Sequence, residues 1–402
     1  MKQNLRSLSR FDFLKMIPTR KAKIAEAPAR AIPSTDSYKP NELANALHPK
    51  CQHLIVSEIT EREKDVKSYS LTPDIARGTE KLAYFSAGQY LSVALEIGDV
   101  KLTRPYSISS SPRESLDGRY ELTVKRVDNG LASQYILDNW KVGTEVLASA
   151  PHGEFTYEPL RDARQIVGLA GGSGITPFVS LAKAIADGCE DANLTLIYGS
   201  MTEKEIIFRN ELENLAAKCS RFKLVNVLCD EKVDGCEKGF ITAELIRKYA
   251  PASGDYSIFV CGPQVMYDFV DKEIEKLGLR KKFIRHELFG EYRYPEKNDD
   301  YPKDAVGKKF KLTITICGEK KTVECDANVT LLNAMEHNGI AAPTNCRSGV
   351  CGWCHSRLVS GNVYVPKEVD GRRMADLQYG YVHPCSTFPL SDVEIDVPPF
   401  RL

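Results

Sequence analysis

The sequence lacks an excess of charge of either sign, and it lacks a long apolar run. Lys plus Arg and Asp plus Glu each number 54, so the formal net charge is zero and nucleic-acid binding is not expected. The most apolar window, residues 166–186, is broken by glycines, Pro177 and Lys183. We therefore expect no transmembrane segment.

The N-terminus, which begins MKQNLRSLSR, also lacks an apolar signal-peptide core. The 12 cysteines therefore do not indicate the disulfide framework of a secreted protein. Four of them instead follow a metal-ligand pattern, which requires free thiols. We expect a reducing compartment and a cytoplasmic protein.

The first 50 residues form a separate N-terminal extension, 1–50, rich in basic residues and then in prolines. Leu5, Leu8, Phe11 and Leu14 recur every three residues, which is compatible with a short amphipathic helix. Such an extension packs on the body or frays. The alternative is a helix that docks on a partner or makes peripheral contact with an anionic membrane surface.

The remaining chain changes pattern three times. Residues 51–157 contain short β-rich runs separated by turn residues, which predicts a small antiparallel barrel. Helical and strand patterns alternate over 158–290, which predicts an α/β domain with a parallel sheet. Residues 291–307 are charged and contain two prolines, as expected of a linker. The last segment, 308–402, is long enough for one small domain.

The strongest motif is Cys346-x4-Cys351-x2-Cys354 followed by a distant Cys385, the spacing of plant-type [2Fe–2S] ligands. Small residues between these cysteines let backbone amides approach the sulfurs and tune the cluster. Zinc sites usually pair two C-x2-C units, and only one is present. Zinc or plain buried thiols remain the alternatives.

Two glycine-containing turns predict a nucleotide site. Gly171-Gly172-Ser173-Gly174-Ile175-Thr176-Pro177 follows an apolar strand and opens a helix, where amides and the helix dipole favour a pyrophosphate. Cys261-Gly262-Pro263 follows another strand, and ligands of open α/β sheets bind at such carboxyl ends. Either turn alone is equally compatible with a structural role, and Cys261 with a small core thiol.

A third set of residues predicts a flavin site. Arg104-Pro105-Tyr106-Ser107 ends a barrel strand, so that Arg104 can pair with a phosphate and Tyr106 can pack on the isoalloxazine. Ser107 can then hydrogen-bond the ring nitrogen that accepts hydride. Val124, Lys125, Gly130 and Ser133 form a second candidate segment for the flavin pyrophosphate.

Together these motifs resemble the ferredoxin–NADP reductase superfamily, in the oxygenase-reductase-like branch with a C-terminal plant-type ferredoxin. The resemblance covers about residues 51–402, and over 308–402 it implies an α+β β-grasp fold. It implies that Cys261 lies beside the nicotinamide and that Ser107, Cys261 and Phe289 are the catalytic residues. His286-Glu287-Leu288-Phe289 resembles the family's terminal Glu-x-Phe segment, although ordinary packing at a domain end is an equal alternative.

The resemblance implies hydride transfer from a nicotinamide nucleotide to a flavin, then single-electron transfer through the cluster to a partner redox protein, such as an oxygenase or reductase component. Met201 stands where phosphate-reading members often have arginine, which favours NADH, with NADPH possible through Lys204 or Arg209. FAD is favoured over FMN, although Asn129-Gly130 replaces the usual glycine pair. The alternatives are a self-contained flavin reductase acting on a small molecule and a redox-sensing regulator.

Overall fold

The computed structural model divides the chain into two units, Met1–Ala44 and Asn45–Leu402. It describes residues 10–26, 38–128, 130–252, 254–288 and 290–400. Helix α1 (Arg10–Glu26) lies in the first unit, and its described side chains are exposed. The next helix is α2 (Lys39–Leu47). Part of the segment predicted to be a basic amphipathic helix is therefore helical.

The first sheet of the second unit is antiparallel, as its alternating strands predict. In β1, for example, Leu54 and Val56 are buried while their neighbours are partly exposed. Its strand order is β4-β3-β6-β1-β2-β5, and a bridge between Ile108 and Leu122 joins the two edges into a barrel. The strands are β1 (Gln52–Glu63), β2 (Val66–Pro73), β3 (Tyr90–Ile97), β4 (Val100–Ser107), β5 (Tyr120–Lys125) and β6 (Glu145–Ala148), with helices α3 (Pro112–Leu116) and α4 (Leu131–Asn139).

The second sheet is parallel in the order β10-β9-β8-β7-β11-β12. Its central strands are almost continuously apolar because helices cover both faces. The strands are β7 (Gln165–Gly171), β8 (Asn193–Ser200), β9 (Phe222–Leu228), β10 (Glu237–Lys238), β11 (Ser257–Cys261) and β12 (Ile284–Glu287); the helices are α5 (Thr176–Ala186), α6 (Arg209–Lys218), α7 (Ala243–Tyr249) and α8 (Gln264–Glu275). The ends of β7 and β11 lie side by side, which brings both predicted nucleotide turns to one edge.

The third region has a mixed sheet in the order β14-β13-β19-β15-β17, and α9 packs on it through Leu331, Leu332 and Met335. A separate pair joins β16 to β18. The elements are β13 (Lys309–Ile316), β14 (Glu319–Asp326), α9 (Leu331–His337), β15 (Ser356–Ser360), β16 (Val363–Tyr364), α10 (Met374–Tyr379), β17 (Tyr381–Val382), β18 (Phe388–Pro389) and β19 (Val393–Asp396). The multidomain fold class expected from the sequence is confirmed.

The segment predicted to be a linker, 291–307, contains a packed aromatic side chain. Tyr301 is buried, its hydroxyl donates to the Ala327 carbonyl at 3.0 Å, and its ring meets Tyr364 edge-on. Apolar burial of this kind restricts the relative motion of the regions that a linker joins.

Candidate functional site

The cluster motif forms one loop between α9 and β15. Its four cysteines are brought together: Cys346, Cys354 and Cys385 are buried, Cys351 is exposed, and the sulfurs of Cys354 and Cys385 lie 3.4 Å apart. Tight turns require positive φ at Gly349 (80°) and Gly352 (71°). A Cβ on Gly349 would overlap the Val369 carbonyl oxygen, so the loop cannot take a side chain there.

Backbone amides in this loop donate to sulfur, as the small residues predict. The Cys351 amide lies 3.3 Å from the Cys346 sulfur, and the Trp353 amide lies 3.4 Å from the Cys351 sulfur. The Cys351 thiol, its amide and the Ser348 amide hold the pKa of Cys346 well below its usual value despite burial. Donors of this kind stabilise the extra negative charge of a thiolate-bound cluster.

Four cysteine sulfurs with backbone amide donors make up this site. A two-iron cluster takes four thiolates, two on each iron. The donor set and its amide partners therefore fit a [2Fe–2S] cluster.

The flavin motif lies on β4 and continues into a buried turn. Tyr106 packs against the barrel core, while Pro105 and Ser107 are buried. Arg104 takes a position that the sequence did not predict. Its guanidinium donates to the Thr103 carbonyl and lies 3.4 Å from a Glu336 carboxylate oxygen and 3.6 Å from one of Glu291.

The second flavin segment runs from β5 into α4. Val124 is buried and Lys125 half-buried at the end of the strand, and Gly130 precedes the first turn of the helix. The Ser133 hydroxyl accepts from the Val127 amide and donates to the Gly130 carbonyl. A Cβ on Gly130 would lie 2.9 Å from Val127, so only glycine leaves this helix N-terminus open to a phosphate.

The two predicted nucleotide turns touch one another. A Cβ on Gly174 would overlap the Cys261 carbonyl, and a Cβ on Gly171 would lie 3.2 Å from Pro263. Gly172 has a φ of +52°, and its carbonyl accepts from the Tyr198 hydroxyl at 3.0 Å. The glycines therefore serve the close packing of two backbones.

Thr176 and Gly262 complete these two turns. The Thr176 hydroxyl, at the start of α5, donates to the Ser173 carbonyl at 3.1 Å, which fixes the helix start. The Gly262 amide donates to the Tyr267 hydroxyl at 3.1 Å, and that hydroxyl donates in turn to the Glu287 carbonyl at 2.5 Å. Both turns are thus held by hydrogen bonds at the carboxyl edge of the sheet.

Cys261 and Glu287 are partners in the β11–β12 ladder. Burial raises the pKa of the Cys261 thiol well above its usual value, and Glu287 adds to this effect. Burial also raises the pKa of Glu287 to about 8, with Cys346 and Glu154 as further causes. Perturbed groups that converge in this way are typical of functional sites.

Tyr90 connects the three predicted sites. It is paired with Ser107 in the β3–β4 ladder and is buried. Burial raises the pKa of Tyr90, and further increases come from the negative charge of Cys346, Cys351, Glu287 and Cys385. Its ring centroid lies 6.4 Å from that of His152, which lies 6.3 Å from that of Trp353 in the cluster loop. The cluster loop therefore lies near β3, the strand paired with the one that carries the flavin motif.

Sequence reasoning missed the residues that make this junction. Ser92 contacts Asn345, and Thr103 contacts Thr344, with hydroxyl oxygens 2.6 Å apart. These residues are separated by more than two hundred positions in the chain, and no local signal marks them. The predicted catalytic residue Phe289, like Asn129 of the flavin segment, lies outside the described residues.

Comparisons with known proteins agree with this three-part site. The family model described as "Oxidoreductase FAD-binding domain" matches residues 53–157, "Oxidoreductase NAD-binding domain" matches 169–272, and "2Fe-2S iron-sulfur cluster binding domain" matches 314–390. The order of the three models is the order predicted from the motifs.

Curated relatives align over most of their length. The ferredoxin reductase component of 3-ketosteroid-9-alpha-monooxygenase from Mycolicibacterium smegmatis is 30% identical over 351 residues, 84% of this chain and 94% of that protein. The glycine betaine monooxygenase reductase subunit of Pseudomonas aeruginosa is 28% identical over 329 residues, 78% of this chain and 88% of that protein.

A solved structure shares the fold. It is described as "phthalate dioxygenase reductase: a modular structure for electron transfer from pyridine nucleotides to [2Fe-2S]". The match covers 87% of this chain and 98% of that one, with a TM-score of 0.61 and 23% identity. Among the described residues, none of the helices is long and apolar enough to cross a membrane.

Proposed function

The chain belongs to the oxygenase-reductase branch of the ferredoxin–NADP reductase superfamily with a C-terminal [2Fe–2S] domain, and we propose that NADH is its donor and an oxygenase its acceptor. It is an NAD(P)H-dependent oxidoreductase that uses FAD and a [2Fe–2S] cluster and passes electrons to a partner redox protein. The relatives named as monooxygenase reductases support an oxygenase as that partner.

The observation that carries this proposal is the position of Tyr90. This buried tyrosine is paired with Ser107 of the flavin motif, and its ring centroid lies 6.4 Å from that of His152, which lies 6.3 Å from that of Trp353 in the cluster loop. The flavin strand and the cluster loop thus lie within a few side chains of each other. Such proximity is what a relay of electrons requires.

The electron count explains why both redox groups share one chain. A nicotinamide donates two electrons as a hydride and a [2Fe–2S] cluster accepts electrons one at a time, so a flavin bound between them would supply the chemistry that couples the two. Each NADH therefore reduces two equivalents of a one-electron acceptor, with NAD⁺ and one proton as the other products. The protein supplies binding, orientation and the exclusion of water.

The residue roles follow the motifs. In this proposal Gly171, Gly172, Gly174 and Thr176 bind the nucleotide pyrophosphate, while Cys261, Gly262 and Pro263 flank the nicotinamide. Tyr106 and Ser107 contact the flavin ring, and Val124, Lys125, Gly130 and Ser133 the flavin pyrophosphate. The two nucleotide turns support this because they pack on each other at the carboxyl edge of the sheet, where α/β proteins bind ligands.

The preference for NADH is supported by the ion pairs that Arg209 already makes. Of the two nearby cations that could accommodate a 2′-phosphate, Lys204 and Arg209, the guanidinium of Arg209 already contacts Glu203 and lies 2.9 Å from Glu213. Met201, which follows β8, is 47% exposed and has no charge. NADPH binding through Arg209 would have to break two ion pairs to gain one phosphate contact.

A cytoplasmic location is part of the same proposal. None of the 12 cysteines is in a disulfide, and a reducing environment keeps the four cluster cysteines available as thiolate ligands. Helix α1 exposes Phe11 (75%) and Leu14 (57%) among basic residues, which supports peripheral contact of residues 1–50 with an anionic membrane surface.

The test is an anaerobic titration of the purified holoprotein with NADH and, separately, with NADPH. We expect NADH to bleach both the flavin and the cluster bands and NADPH to act at least tenfold more weakly in kcat/KM. Addition of an oxidised oxygenase component should then restore the oxidised cluster spectrum. Full reoxidation by a small-molecule acceptor but none by any oxygenase component would contradict the proposed partner.

A further inference from the structure

Four charged side chains from three parts of the fold form one buried cluster. Arg347 immediately follows the cluster ligand Cys346, and its side chain is 0% exposed. Its Nη1 lies 2.6 Å from a Glu336 oxygen of α9, and its Nε lies 3.0 Å from a Glu291 oxygen. Arg104 of the flavin strand lies 3.4 Å from Glu336 and 3.6 Å from Glu291. We call Arg104, Glu291, Glu336 and Arg347 the charge bridge.

Glu291 lies outside both the flavin strand β4 and the ferredoxin-like region 308–402. It follows the nucleotide sheet directly and begins the segment 291–307. One carboxylate oxygen of Glu291 accepts a hydrogen bond from Arg347, and the other accepts one from the side-chain amide of Asn333. Burial pushes the pKa of Glu291 up, but Arg347, Arg104 and Asn333 hold it down at about 2, so the group is a carboxylate at neutral pH.

The charges balance only while all four members are present. Each of the two guanidinium groups faces both carboxylates, so the removal of one carboxylate leaves two cations that share a single partner. Arg347 also holds a φ of +60°, a conformation that non-glycine residues adopt only when their surroundings fix it. Its contacts therefore determine the path of the chain at Cys346.

The charge bridge lies beside neutral polar contacts between the strands β3 and β4 and the cluster loop. These neutral contacts join Thr103 to Thr344 and Ser92 to Asn345. Hydroxyl contacts of this kind are individually weak. The ionic contacts add a charged link, through Glu291 and Glu336, between the flavin strand and the residue next to the first cluster ligand.

We propose that Glu291 is a positioning residue for electron transfer: its carboxylate locks Arg347 of the cluster loop against Arg104 of the flavin strand and so sets the separation of the two redox centres. This inference rests on the proposed function for its consequence, because the positioned step moves one electron from flavin to cluster. No bond forms or breaks in that step, so its rate depends on distance and orientation.

The test compares Glu291→Gln with Asp304→Asn in the holoprotein. Glutamine keeps the shape of Glu291 but removes its charge. Asp304 lies in the same segment, is 83% exposed and pairs with Lys308 at the surface at 3.5 Å. For each protein, the rate of tryptic cleavage at Arg293, Lys297 and Lys303 is measured without NADH, and stopped-flow spectroscopy then resolves flavin reduction from cluster reduction.

We expect Glu291→Gln to raise the cleavage rate and to lower the flavin-to-cluster rate, each at least tenfold, with NADH-to-flavin transfer within twofold of wild type. Asp304→Asn should match wild type in all three. Wild-type rates of cleavage or of flavin-to-cluster transfer in Glu291→Gln would overturn the proposal. If Glu291→Gln does not fold, Glu291→Asp replaces it and should show a smaller change in the same direction; wild-type rates in that variant would equally overturn it.

The cleavage measurement separates this inference from the proposed function. Failure of NADH to reduce the flavin in the wild-type protein would contradict the function. The cleavage rates of the two variants would still decide whether Glu291 holds the cluster loop in place.

Discussion

Gly174 packs directly against the backbone of Cys261, so that a Cβ at this glycine would overlap the Cys261 carbonyl oxygen. Gly174→Ala must therefore push apart the two turns that we assign to the nucleotide. We expect kcat/KM for NADH to fall at least tenfold. The measurement is steady-state reduction of a one-electron acceptor over a range of NADH concentrations.

Gly168→Ala is the matched control for this prediction. A Cβ at Gly168 would lie 2.8 Å from the Phe178 ring, in the core beneath the same sheet. Both variants should lose about 1–3 kcal/mol of stability through overpacking. Only Gly174→Ala should lose NADH affinity, and an equal loss in Gly168→Ala would show that the contact with Cys261 has no special role.

Cys351→Ser tests the cluster ligands. Serine is a poorer ligand for iron than a thiolate, so the variant should lose the cluster's visible spectrum and at least tenfold in NADH-dependent cytochrome reduction. Flavin reduction by NADH should persist. Cys317→Ser, at another exposed cysteine in the same region, should retain both activities. Normal cytochrome reduction by Cys351→Ser would exclude the cluster from the electron path.

Arg347→Leu tests the energetic weight of the charge bridge. Removal of this guanidinium leaves Glu291 and Glu336 buried without their main partner, which should cost about 3–5 kcal/mol. Lys308→Met breaks a surface pair instead and should cost less than about 1 kcal/mol. Urea unfolding followed by cluster absorbance measures both. Similar losses in the free energy of unfolding for the two variants would mean that the buried ion pairs stabilise the fold no more than a surface pair does.

Glu287→Gln tests the electrostatics around Cys261. The pKa of Glu287 is raised from 4.5 to about 8, so between these values the folded protein holds a proton that the unfolded chain has released. Stability from this group must then fall as pH rises from 4.5 towards 8. Glutamine cannot ionise, so Glu287→Gln should match wild type near pH 5 and exceed it by about 4 kcal/mol near pH 9, because a pKa difference of one is worth about 1.4 kcal/mol. Urea midpoints across this range that differ by a constant amount would contradict the raised pKa.

Deletion of residues 1–44 tests the peripheral contact proposed for the N-terminal extension. The full chain should sediment with vesicles that contain anionic lipid and remain in solution with neutral vesicles. The shortened chain should remain in solution with both, and its NADH-dependent flavin reduction should equal that of the full chain. Equal sedimentation of the two proteins would assign any membrane contact to the second unit.

The sequence was informative wherever a function depends on closely spaced residues. Cys346, Cys351 and Cys354 share one loop, and the turns at Gly171 and Cys261 each end an apolar strand, so local pattern was enough to predict them. Strand alternation likewise predicted an antiparallel first sheet and a parallel second one, because burial on one face or on both leaves different periodicities.

The contacts between the flavin, nucleotide and ferredoxin-like regions could not be predicted from local sequence patterns. That Arg104 binds a flavin phosphate stays a prediction, but its carboxylate neighbours Glu291 and Glu336 could not be predicted, because they come from distant segments that only tertiary packing brings together. The charged segment 291–307 was predicted to be a linker from composition, yet Tyr301 is buried within it. Polar composition does not reveal which few side chains of a segment are packed.

The most direct test of the electron relay is a single-turnover experiment without oxygen. The holoprotein is mixed with one equivalent of NADH, and the flavin and cluster absorbances are recorded separately in time. The account predicts that the flavin bleaches first and that the cluster bleaches afterwards, at a rate independent of protein concentration. Reduction of the flavin with no subsequent change in the cluster, or cluster reduction whose rate grows with protein concentration, would contradict a relay within one chain.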